Sequence, residues 1–190
     1  MKTLIFKILP LLFVVVWAGG IKSQTITTTA GSVTSCPGEI QVPVNVTNCN
    51  GVGAISLVLN FDTTKLSYIG YQNLNTALTS GFLIIHSSGN KIVISWANTT
   101  AANLGNSTLV QLRFNATTST TSLTWDTQTS GNCEYANVSG TVLAASFANG
   151  TATINQLASI SAQPIDRSIL LGQSTSFSLG VSGTGITYLW

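Results

Sequence analysis

Past its first two dozen residues the chain alternates between apolar and polar positions. Residues 39–47 place Ile40, Val42, Val44 and Val46 at every second position, and residues 54–61 do the same with Ile55, Leu57, Leu59 and Phe61. A period of two gathers each set on one face of a pleated strand. In 54–61 that leaves Ala54, Ser56, Val58 and Asn60 pointing away from the core. The same pattern predicts strands over 25–29, 82–86, 91–97, 109–116, 122–126, 134–136, 141–147 and 151–155. Asp62-Thr63-Thr64 reads as a turn, and Ser87-Ser88-Gly89-Asn90 between two strands reads as a hairpin. Beyond the first residues no stretch sustains a 3.6-residue period, so the pattern predicts an all-β sandwich of ordinary domain size.

The strand pattern restarts after Pro164 over 169–171, 174–181 and 183–190. This places a boundary near Leu157 and makes 157–190 the opening of a second β domain, too short for a seven-strand sandwich on its own. With Phe177, Tyr188 and Trp190 exposed, the segment is expected to be weakly stabilised and the first to yield to protease.

The N-terminus follows a different logic. Lys2 and Lys7 precede an apolar run from Ile8 to Ala18, closed by Gly19 and Gly20, which is the layout of a secretory signal. A membrane span takes about 20 apolar residues, and this run is shorter. Residues 1–23 are therefore expected to be removed, after Ser23 or after Gly20, and no cysteine lies near for lipid attachment. Removal changes the charge. A chain starting at Gln24 keeps Lys65, Lys91, Arg113 and Arg167 against Glu39, Asp62, Asp126, Glu134 and Asp166, one negative charge in excess. Nucleic-acid binding needs clustered Lys and Arg; these cations are scattered. Only 6% of residues are charged, too few for long solvated helices, while Thr, Ser, Asn and Gly fill the polar positions.

Catalytic chemistry has little to draw on. His86 is the single histidine and falls at a strand end. Glycoside hydrolysis needs two carboxyl groups about 5 to 9 Å apart, and Glu39, Asp62, Asp126 and Glu134 each fall near a strand end or turn. Calcium takes about six to eight oxygens; with Asp62 and Asp126 isolated, a site would have to rest on backbone carbonyls. No cofactor and no other metal is expected. Among the aromatics, Trp96 shares its face with Ile92 and Ile94 and Trp125 with Leu123, which predicts burial. Tyr71 is the best candidate to stack on a sugar ring. The Asn-X-Ser/Thr patterns at Asn45, Asn98, Asn106, Asn115, Asn137 and Asn149 follow from composition and are given no role.

Several blocks together resemble a known family. Val42-Pro43-Val44-Asn45-Val46-Thr47, the run from Gly51 through Phe61-Asp62-Thr63-Thr64-Lys65-Leu66, Ile94-Ser95-Trp96 and Leu112-Arg113-Phe114 resemble a cohesin domain spanning 25–155. The resemblance implies a nine-stranded jelly-roll sandwich, related in fold to carbohydrate-binding modules, that holds a dockerin-bearing protein on one sheet face. Where clostridial type I cohesins commonly carry Asn and Asp on that face, this sequence has Ala54 and Ser56. The 157–190 segment is similar to a bacterial immunoglobulin-like repeat, on Pro164, Gly172, Phe177, Gly183, Tyr188 and Trp190. The combination looks like secreted or surface proteins of Bacteroidetes-type bacteria.

Secretion favours a disulfide. Cys36 and Cys49 bracket an extended strand some 25 Å long or more, far beyond the ~4.4 to 6.8 Å that a bridge spans between Cα atoms. The neighbouring second and seventh strands of a cohesin-like topology imply a Cys36–Cys133 bridge with Cys49 free. The resemblance also directs a partner to the face whose outward positions are Ala54, Ser56, Val58, Asn60, Lys91, Val93 and Ser95. Beside it, the apolar run Phe82-Leu83-Ile84-Ile85 must expose one pair of alternate side chains. Two function classes fit: protein docking in a cell-surface or polysaccharide-degrading assembly, and a carbohydrate-binding or structural surface module.

Overall fold

The computed structural model describes residues 25–117 and 119–189. The expected export segment, residues 1–23, and Trp190 lie outside them. The described chain forms strands β1 (Ile26–Ala30), β2 (Val33–Ser35), β3 (Gly38–Cys49), β4 (Val52–Asn60), β5 (Leu66–Gln72), β6 (Phe82–Ser88), β7 (Lys91–Ala102), β8 (Gly105–Ala116), β9 (Ser119–Trp125), β10 (Cys133–Ala136), β11 (Ala145–Ala148), β12 (Gly150–Ile154), β13 (Ser159–Ala162) and β14 (Gly180–Ser182). A single 3₁₀ turn, Thr76–Leu78, interrupts them.

Two sheets make the sandwich. One has the order β11-β1-β3-β8-β5; the other runs β2-β12-β9-β4-β7-β6, with β10 also paired to β4. The alternating apolar sets meet between them. Val42, Val44, Leu112 and Phe114 from the first sheet and Ile55, Leu57, Leu59, Ile92, Ile94 and Trp96 from the second are buried in one core. Trp96 is locked there by its indole N–H, which donates to the carbonyls of Leu78 (3.1 Å) and Ser80 (2.9 Å). Trp125 is buried too, donating to Ala148 O at 2.9 Å.

The fold is all-β, as the alternation predicts, but it has more strands than the expected nine because the chain changes sheet twice. β1 and β11 pair in parallel in the first sheet, and their continuations β2 and β12 pair in parallel in the second. The two runs cross together at Gly31 and Gly150. A Cβ on Gly150 would lie 2.5 Å from the carbonyl oxygens of Ala30 and Gly31, and one on Gly31 would lie 2.6 Å from Pro43 Cγ. Glycine is needed at Gly150 because backbone meets backbone there, and at Gly31 because the Pro43 ring fills the space.

Other differences have local causes. β5 escapes the alternation because the ladder slips between Tyr68 and Gly70, where Gly70 takes φ +133°. The strand expected over 141–147 is confined to β11, since Thr141 and Leu143 are tied back to β10: Asn137 N donates to Thr141 O and Leu143 N to Tyr135 O. In 157–189 the described strands are β13 and β14, paired antiparallel, in place of 169–171, 174–181 and 183–190.

Candidate functional site

The outward face of the second sheet is built by β4 in the middle, β7 and β6 on one side and β10 on the other. Ladder register sets which side chains meet. Ala54 pairs with Ala97, Ser56 with Ser95, Val58 with Val93 and Asn60 with Lys91. On the far side of β7, Phe82 pairs with Ala97, Ile84 with Ser95 and His86 with Val93. Across β4, Glu134 pairs with Ser56 and Ala136 with Ala54. The result is a shallow trough of about 250 Å³ over Ala54, Ser56, Ser95, Ala97, Glu134 and Ala136.

The structure settles which half of the 82–85 run faces out. Leu83 and Ile85 sit opposite Trp96 and Ile94 and pack on the core, while Phe82 (69% exposed) and Ile84 (40% exposed) stand on the outer face. They form an apolar ridge along one side of the trough. Glu134, on the other side, accepts a hydrogen bond from Gly131 N at 3.1 Å.

One expected face residue is not available. Val58 points outward but is only 5% exposed, because the 126–132 turn folds over that part of β4. Asp126 N donates to Val58 O (2.9 Å), and Ser56 Oγ donates to Gly131 O (2.6 Å). The Asp126 carboxylate anchors the turn by accepting from Lys91 Nζ (2.8 Å), Asn132 Nδ2 (2.8 Å) and Thr129 Oγ1 (3.0 Å). Hydrogen bonding from Lys91, then Asn132, holds its pKa down at about 2. Lys91 is therefore engaged within the molecule, and the open part of the face is its Ala54–Ala97 end. Period-two reading finds which side β4 turns outward; it has no signal for a turn more than 65 residues further along the chain that covers it.

Two further acids of the sandwich, Glu39 and Asp62, are also occupied. Glu39 accepts a two-point contact from Arg113 (2.7 and 2.9 Å) on the opposite sheet, and that hydrogen bonding lowers its pKa. Asp62 closes its turn by accepting from Thr64 N and Oγ1, and the Thr64 contacts lower its pKa as well. His86 is exposed beside Val93. Among the described residues no group of three His, Cys, Asp or Glu side chains converges on a point. A second hollow of about 220 Å³ lies between Thr63–Ser67 and Asn115–Thr117, but its cation, Lys65, already donates to Thr120 O and pairs with Asp62.

Tyr71 is 41% exposed, on β5 of the opposite sheet, where it pairs with Leu112. It shares no face with the trough. Tyr135, in contrast, is fully buried with its hydroxyl 2.6 Å from Thr28 Oγ1.

The Cys36–Cys133 bridge is absent: all three cysteines are free. Cys36 is exposed in the link from β2 to β3, and the chain after it enters the first sheet between β1 and β8. Cys133 opens β10 in the other sheet, against Leu57 of β4, with Sγ 3.7 Å from Val58 O. The antiparallel neighbour relation behind the expected bridge does not exist in this register. Cys49 is buried as expected for a free thiol, which raises its pKa to about 11.

Comparison with known proteins agrees with the sandwich. No curated protein matches the chain. Solved structures do. A non-cellulosomal cohesin from the hyperthermophilic archaeon Archaeoglobus fulgidus is 24% identical over 69% of this chain and 91% of that one, with a TM-score of 0.58. A type I cohesin of Clostridium thermocellum, solved as the Coh-OlpA-Doc918 cohesin–dockerin complex, is 14% identical over 69% and 99%, with a TM-score of 0.60. The seventh ScaB type I cohesin of Pseudobacteroides cellulosolvens is 15% identical over 80% and 99%, with a TM-score of 0.58. The sequence model of the cohesin domain matches residues 26–154, and the chain belongs to the cohesin family.

Proposed function

We propose that this chain is a secreted, non-catalytic docking module whose partner is a dockerin-like protein, seated on the trough between Phe82–Ile84 and Glu134. The carrying observation is the outer face of β4, β7 and β6: small side chains at Ala54, Ser95 and Ala97 beside exposed Phe82 and Ile84. Small residues let another backbone approach closely, and an apolar ridge beside them offers area whose burial drives association. The interior strands β4 and β7 have used their backbone groups on neighbours, so a partner meets this face through side chains. Solved cohesin–dockerin complexes among the structural neighbours support the kind of partner.

The reading extends to location and layout. Export through residues 1–23 delivers a chain with the docking domain over 24–156, followed by an immunoglobulin-like segment from 157, to the cell surface or a polysaccharide-degrading assembly. None of the described helices is long and apolar enough to cross a membrane. With Ala54 and Ser56 where clostridial type I cohesins commonly carry Asn and Asp, the preferred dockerin is expected to differ from the usual type I partners. A carbohydrate reading has one observation in its favour, the exposed ring of Tyr71.

Calorimetric titration of a panel of dockerin modules tests both readings. At least one is expected to bind, to lose about a hundredfold or more on Ser95→Arg and Ala97→Arg, where a charged side chain would be buried at the contact, and to ignore Gln41→Arg on the opposite sheet. Retention on polysaccharide abolished by Tyr71→Ala, with no dockerin bound, would replace docking by carbohydrate binding.

A further inference from the structure

The sandwich has few free edges, and all but one are blunted. In the second sheet β2 is three residues long, and the outer side of β10 is covered by Val142 and Leu143. In the first sheet β11 has four residues, and β5 is bent by its slip at Ile69 and by Gly70 at φ +133°. Short strands and bulges are the devices that stop edges from recruiting another chain.

β6 has none of them. Its seven residues, Phe82-Leu83-Ile84-Ile85-His86-Ser87-Ser88, pair with β7 without a slip and include no proline, lysine or acid. The Gly89-Asn90 turn closing the hairpin holds two residues, so Ser88 and Lys91 are its terminal hydrogen-bonded pair. Alternation along the ladder then directs the backbone groups of Phe82, Ile84, His86 and Ser88 toward β7. Those of Leu83, Ile85 and Ser87 face outward along a straight, open edge.

We propose that this edge pairs with the same edge of a second copy of the chain, antiparallel about Ile85, joining two sandwiches through one continuous sheet. The strand is its own complement. Centred on Ile85, the register overlaps all seven residues and satisfies the outward groups of Leu83, Ile85 and Ser87. It sets Ile84 beside the partner copy's His86 and brings the two apolar ridges together. The strand carries no Lys, Arg, Asp or Glu to oppose itself, whereas like charges directly opposite would destabilise the pair. The troughs stay open on one side of the extended sheet, so the dimer presents two docking faces. The proposal is independent of what those faces hold.

Sedimentation equilibrium of the exported chain from micromolar to millimolar concentration, with amide hydrogen exchange at both ends of that range, tests it. A reversible dimer is expected, with exchange at Leu83, Ile85 and Ser87 slowing as concentration rises. Ser87→Pro removes an outward donor without touching the β7 ladder, and Ile84→Lys adds a charge on an already exposed side chain. Each is expected to weaken dimerisation by about tenfold or more with the monomer's unfolding transition retained. A monomer at every concentration, or a dimer that persists in both variants with Leu83, Ile85 and Ser87 unprotected, would overturn the proposal.

Discussion

The two outer faces of this sandwich are finished to different degrees. On the first sheet most outward side chains are polar and answer one another, Glu39 with Arg113, Asn45 with Thr108, Thr27 with Ser146, and Gln111 with Gln72 and Asn73, while Ile69 and Tyr71 of β5 are its exposed large apolar side chains. On the second sheet, half of the face is closed by the Asp126-anchored turn and the other half is left as small side chains beside an apolar ridge. A face whose polar groups are already paired has little to gain from a partner. One that leaves Phe82 and Ile84 in water gains by covering them. The contrast therefore supports the proposed place of association before any partner is named.

The sharpest way to break the contrast is to put the same charge on each face. Val58→Asp is expected to cost about 3–5 kcal/mol and to abolish cooperative folding, because the carboxylate would be trapped under the turn without a partner. Gln41→Asp on the other face should shift stability by no more than about 0.5 kcal/mol. Urea titration of both variants measures the difference. Ser56→Ala, which removes the hydroxyl held by Gly131 O, is expected to cost about 1 kcal/mol in the same assay and to loosen the turn.

Acid should act on the closed half. Asp126 has a native pKa of about 2, below its unfolded value. Its stabilising contribution is present above the ordinary carboxylate value near 4 and is lost as pH falls through about 2. Unfolding midpoints measured down that range should decline, and Asp126→Asn should flatten the decline at the cost of lower stability at neutral pH. Glu39 and Asp62, also depressed, are expected to add to the same slope. The smallest effect concerns the thiols. At neutral pH a maleimide probe should label exposed Cys36 quickly and leave Cys49 unlabelled until the chain unfolds, since burial holds Cys49 protonated. Peptide mapping that found Cys36 joined to Cys133 would restore the bridge that the strand register denies.

Much of this was legible in the residues. The alternation of Ile40 to Val46 and of Ile55 to Phe61 identifies two interior strands and their core faces, because a one-residue slip would turn every apolar side chain to solvent. Ala54, Ser56 and Ser95 follow as outward positions from the same period. What the sequence conceals is long-range. Nothing near Val58 signals the turn that covers it. The orientation of the Phe82–Ile85 run depends on which side chains meet Trp96 and Ile94, and a continuous apolar run has no period from which to read that. The sheet change at Gly31 and Gly150 is two ordinary glycines until the parallel partners are known. The cysteine pairing failed for the same reason, since it depended on a neighbour relation that only the assembled sheets define.

The most direct test of the docking account is a footprint: backbone amide shifts of the labelled domain, followed by magnetic resonance during titration with a dockerin that binds it. The account predicts perturbations concentrated at Ala54, Phe82, Ile84, Ser95, Ala97 and Glu134, with Gln41, Gln111 and Arg113 unmoved. Perturbations centred on β3, β8 or Tyr71, with the β4–β7–β6 face unchanged, would contradict it.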